Sequence, residues 1–268
     1  MSIQQIKILI RGGGDLGSGV AHKLFSAGLY TAIVDLPRPA SIRREVSFST
    51  AIDRGSITIE GVTGKFVKTL EEFSKDFISV FAEGEGLKSA DFEPDVIVDA
   101  TLKGIDNRIT YKDEASFTIG LGNGFKAPEN IDCVIETKRG HSLGSVIWHG
   151  EAAEYTGIPG EVGGVTSARL IRAPAEGKFK PLKKIGDRVE KNELLGWVGE
   201  KEVRAGIQGI IRGLSAENTY MREKYKMGDI DPRAVREHAY TISDKARCIA
   251  GGVLEAILAW AHDKIPNG

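Results

Sequence analysis

A carboxylate, a guanidinium and an imidazole occur within six positions of one another in the phrase ETKRGHSLG. They are Glu136, Arg139 and His141. Arginine binds anions through charge-assisted hydrogen bonds, and histidine exchanges protons near neutral pH. The set predicts a catalytic site that binds an anion and moves a proton, with Lys103 as a further candidate. A polar turn at a strand end, carrying a solvent-exposed ion pair, is the alternative.

A glycine-rich turn near the N-terminus supplies a second chemical signal. Gly12, Gly14 and Gly17 satisfy G-x-G-x-x-G between an apolar run and a helical pattern. The first glycine allows a tight turn, the second lets a pyrophosphate approach the backbone, and the third lets the helix pack closely. The helix N-terminus, which includes Asp15, offers unpaired N–H groups to an anion. The motif predicts nucleotide or phosphate binding. A turn of this shape that binds nothing is the alternative.

A second predicted strand closes on an acid that would read a ribose. Asp35 follows the last glycine of the motif by nearly the 20 or so residues expected for such a carboxylate. Arg38, Arg43 and Arg44 come next. Arginines there suit an additional phosphate, which argues against plain NAD.

Further polar residues fall at or just past predicted strand ends, where open α/β sheets bind ligands. Asp99 ends the apolar phrase DVIVD, Thr101 lies just past it, and Asn123 lies in GLGNG. In the last predicted helix, Lys245 and Arg247 sit where the helix dipole disfavours cations. A shared anion at that terminus would explain them. A docking helix with incidental cations is the alternative.

Alternating strand and helix signals in the first part of the chain predict an α/β fold with a Rossmann-like N-terminal domain. The predicted strands include 31–34, 95–99, 117–121, 134–137 and 146–148, with a hairpin over 56–67 and a helical patch near 70–77. A glycine-rich stretch at 157–164 is the predicted linker. The domain limits expected are 1–165, 166–240 and 241–268, with the terminal helix packing back on the α/β domain.

The second part contains an internal repeat. RAPAEG at 172–177 recurs as RAGIQG at 204–209, and KIGD at 184–187 recurs as KMGD at 226–229. Two copies of a strand–turn–strand unit predict a small all-β body. The pattern is similar to biotinyl/lipoyl-type domains, the barrel-sandwich hybrid, in which a hairpin lysine is modified. Lys201 lies between two glutamates without the usual flanking residues, so neither biotin nor lipoate is expected.

Composition narrows the class of protein. The chain has 268 residues, 41% hydrophobic content and a net charge of −1, so neither nucleic acid nor a membrane is an expected partner. The first residues lack the basic segment of a signal peptide, which predicts a cytoplasmic protein. The two cysteines, Cys133 and Cys248, form neither a metal cluster nor a disulfide framework, and both are interpreted as buried thiols. No metal site is predicted.

Seven phrases in order resemble one family along nearly the whole chain. The resemblance is to the selenium-dependent molybdenum hydroxylase system proteins, the YqeB-type accessory family, and it is carried by IRGGGDLGSG, DLPRP with IRREVSFS, IGLGNGF, ETKRGHSLG, TGIPGEVGG, RAPAEG and TISDKARCIAGGVLEA. It implies a Rossmann-like domain, a biotinyl-like domain and a role in maturing molybdenum hydroxylases. The family pattern has GLGPGF and ETNRGH where this chain has GLGNGF and ETKRGH. Lys138 therefore replaces an amide with a donor-only cation.

Three functions stay open from the sequence. The first is an accessory factor that binds a nucleotide or the pyrophosphate of a pterin dinucleotide and assists cofactor maturation or selenium insertion. The others are an NAD(P)-dependent oxidoreductase and a non-catalytic adaptor with a decayed biotinyl-like domain. For the first, the expected partners are the molybdenum hydroxylase or its cofactor-assembly proteins, and a homo-oligomer is possible.

Overall fold

The computed structural model of the chain describes residues 3–102, 110, 112–154 and 160–264. The chain divides into two compact units. Unit 1 consists of Met1–Pro39, Ser47–Thr156 and Ile242–Gly268, and unit 2 of Ala40–Val46 and Gly157–Thr241. The domain limits expected from the sequence stay a prediction.

Unit 1 is built on a large mixed β-sheet. Its strands within the described ranges are β1 (Lys7–Arg11), β2 (Tyr30–Asp35), β3 (Ser56–Ile59), β4 (Val62–Phe66), β5 (Ile78–Ala82), β6 (Val96–Asp99), β7 (Phe117–Leu121), β8 (Lys126–Ala127), β9 (Cys133–Ile135), β10 (Val146–Ile147) and β11 (Gly150–Glu151). Nine of these described strands form one sheet in the order β10-β9-β7-β6-β1-β2-β5-β4-β3, and β8 pairs with β11. Neighbours from β9 to β4 run parallel, while β10 and β3 are antiparallel edge strands.

The central strands are apolar because both faces of the sheet are covered. Ile8, Leu9 and Ile10 of β1 are fully buried. On one face Leu9 joins a core cluster with Phe81 and Phe92. These contacts fix the positions at which the parallel strands end, and therefore the edge at which a ligand would bind.

The helices of unit 1, within the described ranges, are α1 (Asp15–Ser26), α2 (Thr50–Arg54) and α3 (Asp244–Lys264). The Ser243 hydroxyl accepts the Ala246 N–H at 3.2 Å and so caps α3. α3 packs against α1 at a point where both helices carry small residues. A Cβ placed on Gly19 of α1 would lie 2.8 Å from the Cβ of Ala246.

Unit 2 contains two antiparallel sheets. Its described strands are β12 (Leu170–Arg172), β13 (Gly177–Pro181), β14 (Arg188–Val189), β15 (Leu194–Val198), β16 (Lys201–Arg204), β17 (Gly209–Leu214), β18 (Tyr220–Met221) and β19 (Lys226–Asp231). One sheet has the order β12-β19-β17-β14 and the other β16-β15-β13-β18. Phe179, Leu195 and Ile211 are fully buried in the shared core.

The internal repeat has a structural counterpart. Gly177 and Gly209, the last residues of the two hexapeptides, have φ of 148° and 151° and begin β13 and β17. The two copies of the KxGD phrase differ more. Asp187 accepts a turn N–H from Lys184, while Asp229 is buried in β19.

The predicted fold class, a Rossmann-like domain with a biotinyl/lipoyl-like barrel-sandwich hybrid, is wrong. The sheet of unit 1 mixes parallel and antiparallel strands, and the described chain has few helices. The described segment between β5 and β6 carries only a 3₁₀ turn at Ser89–Phe92, and β7 connects to β9 through β8. The prediction failed because the strand–turn–helix signal over β1 and α1 was extended to connections without helical periodicity.

Individual elements were predicted more accurately than the whole. The hairpin over 56–67 is confirmed as β3 and β4, and the strands at 95–99 and 117–121 are confirmed as β6 and β7. The helical patch expected near 70–77 is wrong in extent, because only a 3₁₀ turn forms at Leu70–Glu72.

Candidate nucleotide-binding site

The candidate site lies where three neighbouring parallel strands end. Arg11 ends β1, Asp35 ends β2 and Asp99 ends β6, and Arg11 is in register with Asp99. β2 lies on one side of β1 and β6 on the other, so the connections that leave β1 and β5 lead to opposite sides of β1 in the sheet. In open sheets of parallel strands, ligands bind in the crevice beyond the carboxyl ends at such a point.

The glycine turn between β1 and α1 is tightly constrained. Gly12 has φ of +95°, and its N–H donates to the Val34 carbonyl at 2.8 Å. A Cβ on Gly17 would overlap the Gly12 carbonyl oxygen and lie 3.2 Å from the Cβ of Ala100. These two positions therefore require glycine for the bend and for close helix packing.

Gly14 differs from the other two glycines of the motif. It is the residue before α1, half-buried, with φ of −72° and ψ of −166°, a conformation open to any residue. Nothing in its backbone conformation demands glycine. In the dinucleotide-binding motif, the glycine at this place lets a pyrophosphate approach the backbone.

A segment of the same unit, Ser47–Thr50, covers the first half of the glycine turn. The Ser49 N–H donates to the Gly13 carbonyl at 3.1 Å. The Ser18 hydroxyl donates to the same carbonyl at 2.8 Å and accepts the Phe48 N–H at 2.7 Å. The covered half of the turn is thus filled by the protein itself. Gly14 and Asp15 remain half-buried.

Asp35, the predicted ribose acid, holds the turn. Its Oδ2 accepts the Gly13 N–H at 2.8 Å, and its Oδ1 accepts the Leu36 N–H at 2.8 Å. The carboxylate thus joins the end of β2 to the glycine turn beside it. Its proposed contact with a ribose stays a prediction.

Asp99 is the exceptional group of this edge. It is fully buried, and its Oδ1 accepts the Thr101 N–H at 3.0 Å and the Thr101 hydroxyl at 2.7 Å. Its Oδ2 is buried and has no hydrogen-bond partner among the residues that the structure describes. Buried acceptors in native proteins are nearly always satisfied, so a donor other than the described residues is expected at this oxygen.

Asp99 also lies beside the glycine turn. The next residue, Ala100, donates its N–H to the Arg11 carbonyl at 2.8 Å. A Cβ on Gly12 would lie 3.1 Å from the Ala100 carbonyl carbon and oxygen. The end of β6 that carries the buried acid therefore lies against the glycine turn.

Arg11 is the cation of this edge. It is largely buried, and its Nη1 donates to the Thr110 hydroxyl at 2.8 Å while its Nη2 pairs with Glu114 at 2.6 Å. The sequence analysis did not find Thr110 and Glu114. A lone threonine and a surface acid carry no signal of a distant arginine.

The predicted catalytic residues form a structural turn. The Oε1 of Glu136 accepts the Lys138 N–H and its Oε2 accepts the Ala153 N–H, both at 2.7 Å. Arg139 makes a bidentate pair with Asp244 at 2.6 and 2.8 Å, and His141 is exposed. Their catalytic role stays a prediction. Lys103 lies outside the described residues.

The other predicted ligand contacts are dispersed. Asn123 and Arg38 are exposed, and Lys245 is half-buried in the first turn of α3. Arg43 and Arg44, expected to suit a phosphate, donate instead to backbone carbonyls within unit 2. Arg247 pairs with Glu60 at 2.6 Å, which compensates its charge at the helix N-terminus without a bound anion.

The two thiols differ. Cys133 is buried in β9, and this burial, with the nearby Asp132 charge, raises the pKa of its thiol. Cys248 on α3 is exposed, so the interpretation of both as buried is wrong for this residue. Its Sγ contacts the Leu143 carbonyl at 3.0 Å. Lys201 is exposed at the start of β16.

No group of three or more His, Cys, Asp or Glu side chains in the described ranges could hold a metal ion. In that same part of the chain, no helix combines the length and apolar character needed to cross a membrane.

Comparison with known proteins identifies one curated homologue. The chain is 40% identical over 262 residues to "uncharacterized protein YqeB" of Escherichia coli K12. The match covers 96% of this chain and 48% of YqeB, so the chain spans about half the length of this relative. No protein-family model matches. The homology supports the YqeB-type relationship expected from the sequence phrases.

Solved structures that resemble the chain do so distantly. An aspartoacylase family protein from Mesorhizobium loti is 11% identical, with 84% of each chain covered and a TM-score of 0.25. The ectoine utilization protein EutE (DoeB) of Ruegeria pomeroyi is 10% identical, with 83% of this chain and 56% of its own covered and a TM-score of 0.23. At these scores the correction to the fold class rests on the chain's own sheet topology.

Proposed function

We propose that this chain is an accessory factor in the maturation of a molybdenum hydroxylase, and that it binds a nucleotide or the pyrophosphate of a pterin dinucleotide. The glycine turn between β1 and α1 would hold the phosphates. The seven family phrases support the accessory role, and the homology to YqeB is consistent with it. The chain spans about half of YqeB, so the proposal concerns this chain and not the whole of YqeB.

One observation carries the binding proposal. At the carboxyl edge of the parallel strands, the buried Asp99 has an oxygen without a partner among the described residues, and it ends the strand whose next residue, Ala100, abuts the glycine turn. A buried, unsatisfied acceptor costs about 1–3 kcal/mol. A ligand that brings a donor to Asp99 and an anion to the first turn of α1 would satisfy both features.

Binding is favoured over acid–base catalysis by the hydrogen bonds of Glu136 and Arg139. Each carboxylate oxygen of Glu136 already accepts a backbone N–H, and the Arg139 guanidinium is held by Asp244. A general base must reach a substrate proton. These groups serve better as supports of the turn that carries them.

Titration calorimetry with inorganic pyrophosphate, ADP, CDP, GDP, NAD and NADPH tests the binding proposal. Gly14→Ala is the decisive variant, because the φ and ψ of Gly14 suit alanine and the added methyl group would face the ligand's phosphates. We expect at least tenfold weaker binding, equivalent to the loss of about one charge-assisted hydrogen bond. Gly251→Ala is the matched control, since a Cβ there meets no atom within 4 Å.

Two results would contradict the proposal. One is the absence of binding for every probe in the panel. The other is equal affinity of the wild type and Gly14→Ala.

The maturation role needs a separate test in cells. Deleting the gene should lower the specific activity of a selenium-dependent molybdenum hydroxylase without lowering its amount, and a plasmid that encodes these 268 residues should restore it.

A further inference from the structure

The two acids of the candidate site differ in what they can still accept. Each carboxylate oxygen of Asp35 accepts a backbone N–H, one from Gly13 and the other from Leu36. Asp99 uses only Oδ1, and Thr101 provides both of its donors. Asp99 is also the deeper of the two, being fully buried while Asp35 is half-buried.

We propose that Asp99, and not Asp35, reads the hydroxyl groups of the ligand's sugar, and that Asp35 is a positioning residue for the glycine turn. This inference rests on the proposed nucleotide binding and specifies its ligand class. The ligand carries a phosphate and, close to it, a hydroxyl that donates to Asp99 Oδ2. A ribose 5′-phosphate unit, shared by nucleotides and pterin dinucleotides, has this chemistry.

The orientation of Asp99 favours such a reading. Thr101 fixes Oδ1 from both its N–H and its hydroxyl, at 3.0 and 2.7 Å, so the carboxylate is held in one orientation with Oδ2 uncommitted. A fixed, desolvated acceptor discriminates strongly, because a ligand without the hydroxyl leaves that acceptor unsatisfied. Asp35 lacks this property, since its hydrogen bonds are needed whether or not a ligand is bound.

The test compares ADP with 2′,3′-dideoxy-ADP by titration calorimetry, with inorganic pyrophosphate as the probe of the phosphate site alone. The wild type should bind ADP at least tenfold more tightly than the dideoxy analogue. Asp99→Asn presents a donor or a neutral acceptor in place of the charged oxygen. It should bring the ratio of the two affinities close to one while the affinity for pyrophosphate stays within twofold.

Asp35→Asn is the matched control. It should weaken ADP, dideoxy-ADP and pyrophosphate by similar factors, because a loosened glycine turn affects the phosphates common to all three. The ADP to dideoxy-ADP ratio should stay at least tenfold. A ratio that collapses in Asp35→Asn and survives in Asp99→Asn would overturn the inference and return the sugar to Asp35.

The outcomes separate the two proposals. If the wild type binds neither ADP nor pyrophosphate, the proposed function fails and this inference with it. If it binds both without preferring ADP over the dideoxy analogue, only the inference fails. Should Asp99→Asn not fold, Thr101→Val removes one of the two bonds that orient the carboxylate. An unchanged ratio in Thr101→Val would then overturn the role of Asp99.

Discussion

Gly252 of α3 lies directly against the backbone carbonyl of Gly144, so that a Cβ at position 252 would overlap the carbonyl oxygen. Its neighbour Gly251 has no atom within 4 Å of the same test position. The close contact thus requires glycine at position 252 but not at position 251. Gly252, and not Gly251, allows the turn that carries Glu136, Arg139 and His141 to pack directly against α3.

Alanine at these two positions should change stability in opposite directions. Gly251→Ala should raise the free energy of unfolding by about 0.5–1 kcal/mol, because alanine loses less backbone entropy in a helix. Gly252→Ala should lower it by roughly 1–3 kcal/mol through overpacking. Urea unfolding followed by circular dichroism measures both, and equal effects would contradict the contact with Gly144.

The thiols should react at very different rates in the native protein. Iodoacetamide should alkylate Cys248, which is exposed, and spare Cys133, whose burial raises its pKa and excludes the reagent. Peptide mass spectrometry locates the adduct, and the same labelling in urea should modify both residues. Native labelling at Cys133 would show that β9 opens or is misplaced.

Asp231 should make the stability of unit 2 sensitive to acid. Burial acts to raise the pKa of this carboxyl, but hydrogen bonds from the side chain and backbone of Arg233 and nearby arginine charges outweigh it, so the pKa lies below its ordinary value. Its stabilisation is complete above the unfolded pKa of about 4 and is lost as the pH falls through the lower folded value.

Urea midpoints measured between pH 7 and pH 2 test this dependence. The wild type should lose stability below about pH 4. Asp231→Asn should be less stable at neutral pH and should show a shallower decline in acid. Parallel curves for the two proteins would mean that other carboxyls cause the acid sensitivity.

The two copies of the KxGD phrase should differ in their tolerance of substitution. Asp229 is buried and accepts from Arg169 at 2.9 Å and from Arg212 at 3.0 Å. Asp229→Asn leaves both guanidinium groups without their counter-charge and should cost roughly 3 kcal/mol. Asp187→Asn, in the other copy, keeps an acceptor for one turn N–H and should cost about 1 kcal/mol or less. Thermal unfolding compares them.

The sequence predicted the parts of this site that depend on local geometry. The bend at Gly12 and the close approach at Gly17 follow from spacing, and Asp99 follows from its place at the end of an apolar strand. These features need only a strand, a turn and a helix in succession. They hold even though the fold class assigned from them is wrong.

Long-range contacts account for what sequence reasoning missed. Ser49 reaches the glycine turn from more than 30 positions away, and Thr110 reaches Arg11 from 99 positions away. Neither residue has a neighbour in sequence that signals its partner. The hydrogen bond from the Ala153 N–H to Glu136 could not be predicted for the same reason, since every residue except proline has a backbone N–H.

The division of the chain also sets an order of folding during synthesis. The face of α1 around Gly19 is covered by Ala246 of α3, and all of unit 2 after residue 157 is translated between them. At about 5–20 residues per second, the ribosome exposes that face for roughly 10–45 seconds before α3 emerges. Unit 2, nearly contiguous in sequence, has its strands available earlier. Unit 1, which is begun first, is therefore completed last, and the surface of α1 around Gly19 stays uncovered until α3 is made.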